Sequence, residues 1–186
     1  DQLGELGSSF NTMTENLERL LVIAKEKERL QAEVEIAREV QEQLYPKALP
    51  ALRTIKLLAS CKPARMVSGD YYDYLCLSDG RLALAMGDVA GKGISAALLM
   101  ATIQAAMRME LRSSLAAAAP GGMVKPQFRL PPARLVSDLN QQLYATTAPE
   151  KYATFFFAMY DEDTNQLSYT NAGHLQPLLI RNGNAI

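Results

Sequence analysis

Cysteine, histidine and excess charge are all scarce in this chain. Its 186 residues contain two cysteines, Cys61 and Cys76, and one histidine, His174. Two cysteines are too few for a disulfide framework or a four-thiolate zinc site, and they fit a reducing, cytosolic compartment. The formal net charge of −1 excludes the strongly basic balance of a general nucleic-acid binder, so no nucleic-acid partner is expected.

Long apolar runs are also missing. The longest mainly apolar stretch without a charge or a helix breaker, Ala96–Met107, is too short to span a bilayer, and nothing at the N-terminus resembles a signal peptide. Hydrophobic residues make up 48% of the chain, which is typical of a globular domain with one core. Residues 1–45 differ from the rest because they hold ten acidic and five basic side chains.

Glycine and proline are absent from Ser8 to Tyr45, and Pro46 forbids easy continuation, which predicts one long helix. Seam positions spaced by four and three residues form two series, Leu6, Phe10, Met13, Leu17, Leu20 and then Ile23, Lys27, Leu30, Val34, Ala37, Gln41, Leu44. This spacing predicts a homodimer through a parallel coiled coil over residues 6–44, with one phase break, against the alternative of a lone solvated helix.

The first residues, DQLGELGSSFNTMTENL at 1–17, resemble the second helix of a HAMP domain, the relay that follows the last membrane helix of bacterial receptors. The resemblance implies an upstream first HAMP helix and a membrane-anchored sensor, with this chain on the cytoplasmic side of the bacterial inner membrane. An unrelated amphipathic helix is the alternative. On this basis, residues 1–17 end a HAMP-like helix and residues 18–45 form a signalling coiled coil.

The globular part follows a proline-bounded linker over 46–50. Short segments with the composition of strands cover 55–59, 70–77, 81–86, 166–169 and 178–181. A tight turn at Ser78-Asp79-Gly80 makes the second and third of these a hairpin. Asp70 opens the first hairpin strand and Asp88 lies just past the end of the second. The two carboxylates therefore fall at the same open end of the hairpin and can face each other.

Two helices are predicted within the globular part. The first, over 94–113, is rich in alanine, leucine and methionine, and its small residues let it lie close on a sheet. The second, over 131–144, begins with proline in its first turn and packs Leu135, Leu139 and Leu143 inward. Alanine, glycine and proline over 115–132 predict a long, mobile connecting loop.

A glycine-rich turn, GDVAGKG at 87–93, lies between the hairpin and the first of these helices. It is not a Walker loop, because Met86 and Gly93 stand where that motif requires glycine and serine or threonine. The turn can instead place backbone carbonyls beside the Asp88 carboxylate as hard oxygen ligands, which favours Mg²⁺ or Mn²⁺ over zinc. Taken singly, Asp70 and Asp88 are explained equally well as turn-forming residues.

Three motifs occur in order: SGDYYD at 68–73, GDVAGKGISAAL at 87–98 and YTNAGH at 169–174. They resemble the bacterial PPM metal-dependent serine/threonine phosphatases, in the branch named after SpoIIE and RsbU. The resemblance covers about residues 35–186. It implies an α+β fold, an α-β-β-α sandwich with a two-metal centre at the sheet edge. Residues 46–186 would form this phosphatase domain without its C-terminal part.

The resemblance implies a role for each motif residue. Asp88 would bridge two Mn²⁺ or Mg²⁺ ions, Val89 would add its backbone carbonyl, and Asp70 would be the second carboxylate. Two such ions activate a water for attack on phosphorus, so no protein nucleophile is required. Accessory candidates are Asp73, Gly91, Lys92 and His174.

The basic and imidazole side chains near these motifs each have two explanations. His174 is either a general acid or outer-shell group, or a turn histidine that bonds the backbone. Lys92 and Arg65 either meet the substrate phosphate or are solvated surface charges. Residue type alone does not separate these alternatives.

Further metal-binding aspartates of the family come from a later Asp-Gly motif and from near its C-terminus, and neither is found before Ile186. Asp161 and Asp163 are better explained as a polar hairpin loop. We therefore expect these 186 residues alone to be weakly active or inactive. The implied substrate is a phosphorylated STAS-type regulator of sigma factors. A non-catalytic dimeric signalling module and a metal-dependent nucleotide phosphohydrolase are the alternatives.

Overall fold

The computed structural model describes residues 2–62, 66–77, 80–117, 131–181 and 184–185. Residues 78–79 of the predicted turn, residues 118–130 of the loop predicted over 115–132, and Arg65 lie outside the described residues. Residues 115–117 and Pro132 of that predicted loop are helical instead. Two compact units are present, Asp1–Val40 and Gln41–Ile186. The elements in chain order are α1 Gln2–Leu44, β1 Asp70–Cys76, β2 Arg81–Val89, α2 Ile94–Ala117, α3 Pro132–Thr146, β3 Ala153–Asp161, β4 Gln166–Ala172, β5 Ile180–Arg181 and β6 Asn184–Ala185.

Helix α1 confirms the predicted long helix and extends it at its N-terminal end. It begins at Gln2 rather than Ser8, so Gly4 and Gly7 are helical. Each glycine costs about 1 kcal/mol relative to alanine, but extending an existing helix closes one hydrogen bond per added residue. The predicted seam residues of the first series, together with Ile23 and Leu30, are at least half exposed in the single chain.

The last turn of α1 belongs to the second compact unit. Gln41 is 5% exposed, and Leu44 and Tyr45 pack against the core of that unit. The sequence pattern placed Gln41 and Leu44 on the coiled-coil seam. In the structure both contact the globular domain of their own chain, which explains why a glutamine interrupts the apolar series.

A four-stranded antiparallel sheet in the order β1-β2-β3-β4 forms the centre of the second unit. The predicted β1–β2 hairpin is confirmed, whereas residues 55–59 are not a strand. The second strand of the hairpin runs on to Val89, so Asp88 lies within it. Strand β3 was not among the predicted strands, because Phe155–Tyr160 is buried on both faces and shows no alternation of apolar and polar residues.

Helices α2 and α3 cover one face of this sheet. Small side chains such as Ala83 and Ala85 allow α2 to approach the strands closely, and Phe157 fills the centre of the core. Residues 94–113 of α2 are long and apolar enough to cross a bilayer by length and composition. Met100 and Met107 of that helix are 0% and 1% exposed against the sheet, as in the core helix of a globular domain.

The loop between β3 and β4 is the predicted polar hairpin loop. The Asp161 carboxylate accepts hydrogen bonds from the backbone N–H groups of Asp163 and Thr164, at 3.0 and 3.1 Å. Asn165 adopts a positive φ of 54°, which asparagine tolerates in turns. The chain is thus a mixture of helices and antiparallel sheet preceded by a long helix, which confirms the predicted α+β class.

Candidate functional site

Asp70 and Asp88 are direct Cα partners in the β1–β2 ladder. Opposed residues of antiparallel strands have Cα atoms about 4.5–5.5 Å apart and side chains on the same face of the sheet. Both aspartates are exposed, on the face that points away from α2 and α3. Like charges placed opposite each other are unfavourable without a compensating cation. The structure therefore brings the two predicted site carboxylates together.

A glycine precedes each of these aspartates, and in both cases close packing explains it. A Cβ on Gly69 would lie 2.7 Å from the carbonyl oxygen of Val89, and a Cβ on Gly87 would lie 2.9 Å from the ring of Phe155. Any larger residue would push the neighbouring strand or ring away. The two Gly-Asp steps thus let the strands approach at the end that carries the carboxylates, with the Val89 carbonyl beside Gly69.

The chain around Asp70 is anchored by the end of α1. The Gln41 side chain donates to the carbonyl of Ser68 at 2.7 Å and accepts from its N–H at 2.9 Å. The Ser68 hydroxyl in turn donates to Asp70 Oδ2 at 3.1 Å. The Tyr45 hydroxyl donates to the Asp70 carbonyl at 2.8 Å, and its ring stacks on Tyr72. Burial is the main cause that raises the pKa of Tyr45, so this phenol remains a donor at neutral pH.

Asp73, an accessory candidate from the sequence, is not brought to the site. It points to the opposite face of the sheet, where it is 2% exposed. Arg108 of α2 holds it with two hydrogen bonds of 2.7 and 3.0 Å, and Tyr71 donates to it at 3.1 Å. The hydrogen bond from Arg108 to Asp73 is the main cause that raises the pKa of Arg108. Asp73 is therefore an anchor between the sheet and α2.

The glycine-rich turn follows β2 directly. Gly91 and Gly93 have φ angles of 112° and 77°, which side chains other than glycine rarely adopt, and nothing else lies within 4 Å of a Cβ placed there. The backbone N–H of Ala90 donates to the carbonyl of Tyr152 at 2.9 Å, which joins the turn to the start of β3. Lys92 is exposed between the two glycines.

His174 follows β4, and only β3 lies between β4 and the strand that carries Asp88. Its Nδ1 is 2.8 Å from the hydroxyl oxygen of Thr154, and Thr154 is the direct Cα partner of Asp88 on β3. Asn171 holds the backbone of His174 from both sides, accepting from its N–H at 2.8 Å and donating to its carbonyl at 3.1 Å. Thr154 was missed by the sequence analysis, because its place beside Asp88 depends on a strand that the pattern did not reveal.

The donor set fits a hard divalent cation in part. Two opposed carboxylates are oxygen ligands of the kind that Mg²⁺ and Mn²⁺ prefer, and the Val89 carbonyl follows Asp88 directly in the chain. Among the described residues, no group of three or more histidine, cysteine, aspartate or glutamate side chains could hold a metal. Asp70 and Asp88 would thus supply only part of the ligands of a metal centre.

Comparison with known proteins identifies a family for the chain. The family model described as Stage II sporulation protein E (SpoIIE) matches residues 78–186. The chain is 32% identical to Protein IcfG of Synechocystis sp. (strain ATCC 27184 / PCC 6803 / Kazusa), over all of this chain and 31% of that protein. It is 31% identical to the phosphoserine phosphatase RsbU of Bacillus subtilis (strain 168), over 79% of this chain and 39% of RsbU. The chain thus spans well under half the length of both relatives.

Two solved structures are also similar. The RsbU and RsbW domains of Rv1364c from Mycobacterium tuberculosis match 62% of this chain and 28% of that one, with 28% identity and a TM-score of 0.46. The phosphatase domain of SpoIIE from Bacillus subtilis matches 67% of this chain and 47% of that one, with 18% identity and a TM-score of 0.41. The family model covers more than half of the chain, and the chain therefore belongs to the SpoIIE family, in the SpoIIE/RsbU branch of the PPM phosphatases.

Proposed function

We propose that this protein is a metal-dependent serine/threonine phosphatase in which Asp70, Asp88 and the Val89 carbonyl hold the metal. The observation that carries the proposal is the direct register of Asp70 with Asp88 at an exposed end of the sheet. When bound, two Mn²⁺ or Mg²⁺ ions would supply an activated water and neutralise charge on the transferred phosphoryl group. The chain itself supplies the carboxylates, a glycine-rich turn for close approach, and the exposed Lys92 for the phosphate.

The proposed substrate is a phosphoserine or phosphothreonine on a bacterial regulator of the STAS type. Support comes from the relatives: RsbU is a phosphoserine phosphatase, and Rv1364c joins an RsbU domain to an RsbW domain. An exposed pair of carboxylates on an open sheet face suits a phosphorylated side chain presented by another protein. A small nucleotide would be expected to require a more enclosed pocket.

A phosphate-release assay with and without Mn²⁺ tests this function. The chain and its full-length parent protein are each incubated with a phosphoserine peptide and with a nucleoside triphosphate. We expect Mn²⁺-dependent release from the peptide, slow for the 186-residue chain and faster for the full-length protein. Release from the nucleotide alone would indicate a phosphohydrolase, and no release by the full-length protein from either substrate would contradict the proposal.

A non-catalytic signalling module is the second candidate function. It is favoured by the lack of a third metal-binding side chain near Asp70 and Asp88 among the described residues. In that case the chain would bind a phosphorylated partner without hydrolysing it. Titration calorimetry with the phosphoserine peptide, combined with the release assay, separates the two: binding without release in Mn²⁺ supports the module.

The proposed organisation places α1 in a homodimeric coiled coil through the seam predicted over residues 6–44, except Gln41 and Leu44, which pack against the globular domain of their own chain. Residues 1–17 would end a HAMP-like helix, and the protein would work on the cytoplasmic side of the bacterial inner membrane. Support comes from the apolar seam, where Phe10 and Leu17 are 62% and 52% exposed in the single chain. Light scattering should show a dimer for the chain and a monomer for the double variant Phe10→Lys, Leu17→Lys. A monomeric parent at tens of micromolar would contradict the dimer.

A further inference from the structure

The imidazole of His174 is held by a side chain rather than by the backbone. Its Nδ1 is 2.8 Å from the Thr154 hydroxyl, and both residues are half-buried. Gly173, with a φ of 71°, turns the chain just before the ring, and the two hydrogen bonds with Asn171 fix the backbone of His174. The ring and the backbone of His174 are thus held by different residues. A histidine that only completes a turn would need the backbone hydrogen bonds and not the bond to its ring.

The hydrogen bond between Thr154 and His174 is linked to the tautomer of the ring. A threonine hydroxyl can donate one proton and can also accept one. Among the described residues, Nδ1 of His174 is the side-chain atom bonded to that hydroxyl, and no bond joins the hydroxyl to the carboxylate of Asp88. When the hydroxyl donates to Nδ1, the proton of the neutral ring is on Nε2, so that Nε2 is a donor.

The position of this donor relates it to the proposed phosphatase centre. Thr154 is the direct partner of Asp88, on the same exposed face of the sheet. Neighbouring strands are about 4.8 Å apart, and the His174 ring contacts Thr154, the residue next to Asp88, so a phosphoryl group bound at Asp88 is separated from the ring by this one residue. The chain's carboxylates repel a phosphate ester, and a donor beside them supplies a favourable contact that they cannot.

We propose that His174 is a substrate-binding residue whose Nε2–H donates to the phosphoryl oxygens of a phosphate monoester, and that Thr154 is the positioning residue that fixes this tautomer. The inference rests on the proposed function for the identity of the substrate. It is independent of that function for the hydrogen bond and the tautomer, which are properties of the free protein. No proton is transferred in this role, because the ring binds as a neutral donor.

Nitrogen NMR of the imidazole tests the tautomer directly. The chain has one histidine, so a sample labelled with ¹⁵N at histidine gives the two ring nitrogens of His174 without ambiguity. In spectra of the neutral ring at pH about 8, we expect the proton on Nε2 in the parent and in Thr154→Ser. Thr154→Val should move both shifts toward a mixture of tautomers. The matched control Thr102→Val, on the exposed face of α2, should match the parent.

Addition of inorganic phosphate in Mg²⁺ tests the binding role on the same samples. We expect saturable shifts of the His174 resonances in the parent and in Thr154→Ser, with about two- to fivefold weaker binding in Thr154→Val, because only part of a mixture of tautomers carries the proton on Nε2. In active full-length protein, His174→Leu should raise KM for a phosphoserine peptide about tenfold and Thr154→Val about two- to fivefold, and both should change kcat little.

The outcomes separate this inference from the proposed function. A proton on Nδ1 in the parent, or a Thr154→Val spectrum identical to the parent's, overturns the positioning role. Phosphate that leaves the His174 resonances unmoved overturns the binding role. If phosphate moves these resonances in the parent and Thr154→Ser but no hydrolysis occurs in the full-length protein, the binding site stands and the phosphatase proposal fails.

Discussion

Asp70 and Asp73 lie on the same strand, three positions apart, and their surroundings are opposite. Asp73 is buried against α2 and receives hydrogen bonds from the Arg108 guanidinium, the Tyr71 hydroxyl and the Tyr74 N–H. Asp70 is exposed, receives one side-chain hydrogen bond from Ser68, and faces another carboxylate, Asp88. An odd spacing along a strand places two residues on opposite faces of the sheet.

This contrast separates a carboxylate that stabilises the fold from one that is available for chemistry. The Asp73 charge is already compensated by Arg108, so the side chain has no capacity left for a ligand. The charges of Asp70 and Asp88 oppose each other, which costs stability in the absence of a cation. The proposed metal ions would offset this repulsion, and the first three experiments below test the two sides of the contrast.

The largest effect is expected from Asp88→Asn. In the full-length protein we expect kcat/KM for a phosphoserine peptide to fall by a factor of about one hundred or more, because Asp88 would be a ligand of both ions in the proposed centre. The fall should be smaller for Asp70→Asn. Urea unfolding of the same variants should show unchanged or raised stability, since one of two opposed charges is removed. Asp163→Asn, in the exposed β3–β4 loop, is the control. Full activity and Mn²⁺ binding in Asp88→Asn would leave Asp88 as a turn residue only.

Arg108→Met tests the other side of the comparison. The substitution leaves the Asp73 carboxylate buried without its cation, and we expect the free energy of unfolding to fall by about 3 kcal/mol. The matched control is Arg134→Met, which breaks the exposed pair with Asp138 on α3, and the expected cost there is below about 1 kcal/mol. Both values come from urea denaturation. If the free energy of unfolding fell equally in the two variants, the ion pair between Asp73 and Arg108 would stabilise the fold no more than an exposed ion pair does.

Gln41→Ala removes the link between the end of α1 and the segment before Asp70. The backbone N–H and carbonyl of Ser68 lose their partner in a buried position, for which we expect a loss of about 1–3 kcal/mol. Hydrogen exchange at the amides of Ser68 and Asp70 should become faster. Gln43→Ala, two residues further along α1 and exposed, should change neither the stability nor the exchange rates. Unchanged exchange in Gln41→Ala would argue against the anchor.

The smallest effect concerns the two thiols. Cys61 is half-buried beside the Tyr45 hydroxyl, at 3.6 Å, and burial is the main cause that raises the pKa of its thiol, whereas Cys76 is exposed. The thiolate is the reactive form, so Cys61 should react more slowly than Cys76 with a thiol reagent at pH about 8. Stopped-flow measurements on Cys61→Ser and Cys76→Ser assign each rate. Equal rates would mean that residues 41–62 do not hold Cys61 as the structure shows.

Prediction from the sequence succeeded where neighbours along the chain set the structure. The absence of glycine and proline predicted α1, and a turn sequence between two apolar segments predicted the β1–β2 hairpin together with its two aspartates. Asp161–Asn165 was recognised as a loop because its residues bond their own backbone. In each case the deciding interactions join residues that are close in sequence.

Prediction failed where partners are distant in sequence. Strand β3 pairs with β2 across two helices, so the run of phenylalanines at 155–157 gives no alternation from which to infer a strand buried on both faces. Residues 55–59 have strand composition without a strand to pair with in the described structure. Gln41 appeared to belong to a helical seam, and only its contact with Ser68 explains it.

The sequence by itself determined the family of this protein, the long helix and the pair of Gly-Asp steps, because each is encoded in a short, contiguous motif. The tertiary structure alone decided that Asp73 turns away from the site toward Arg108 and that Thr154 lies between Asp88 and His174. Pairing register and the choice of sheet face are set by strands and helices far apart in the chain, and no local pattern of residue types carries that information.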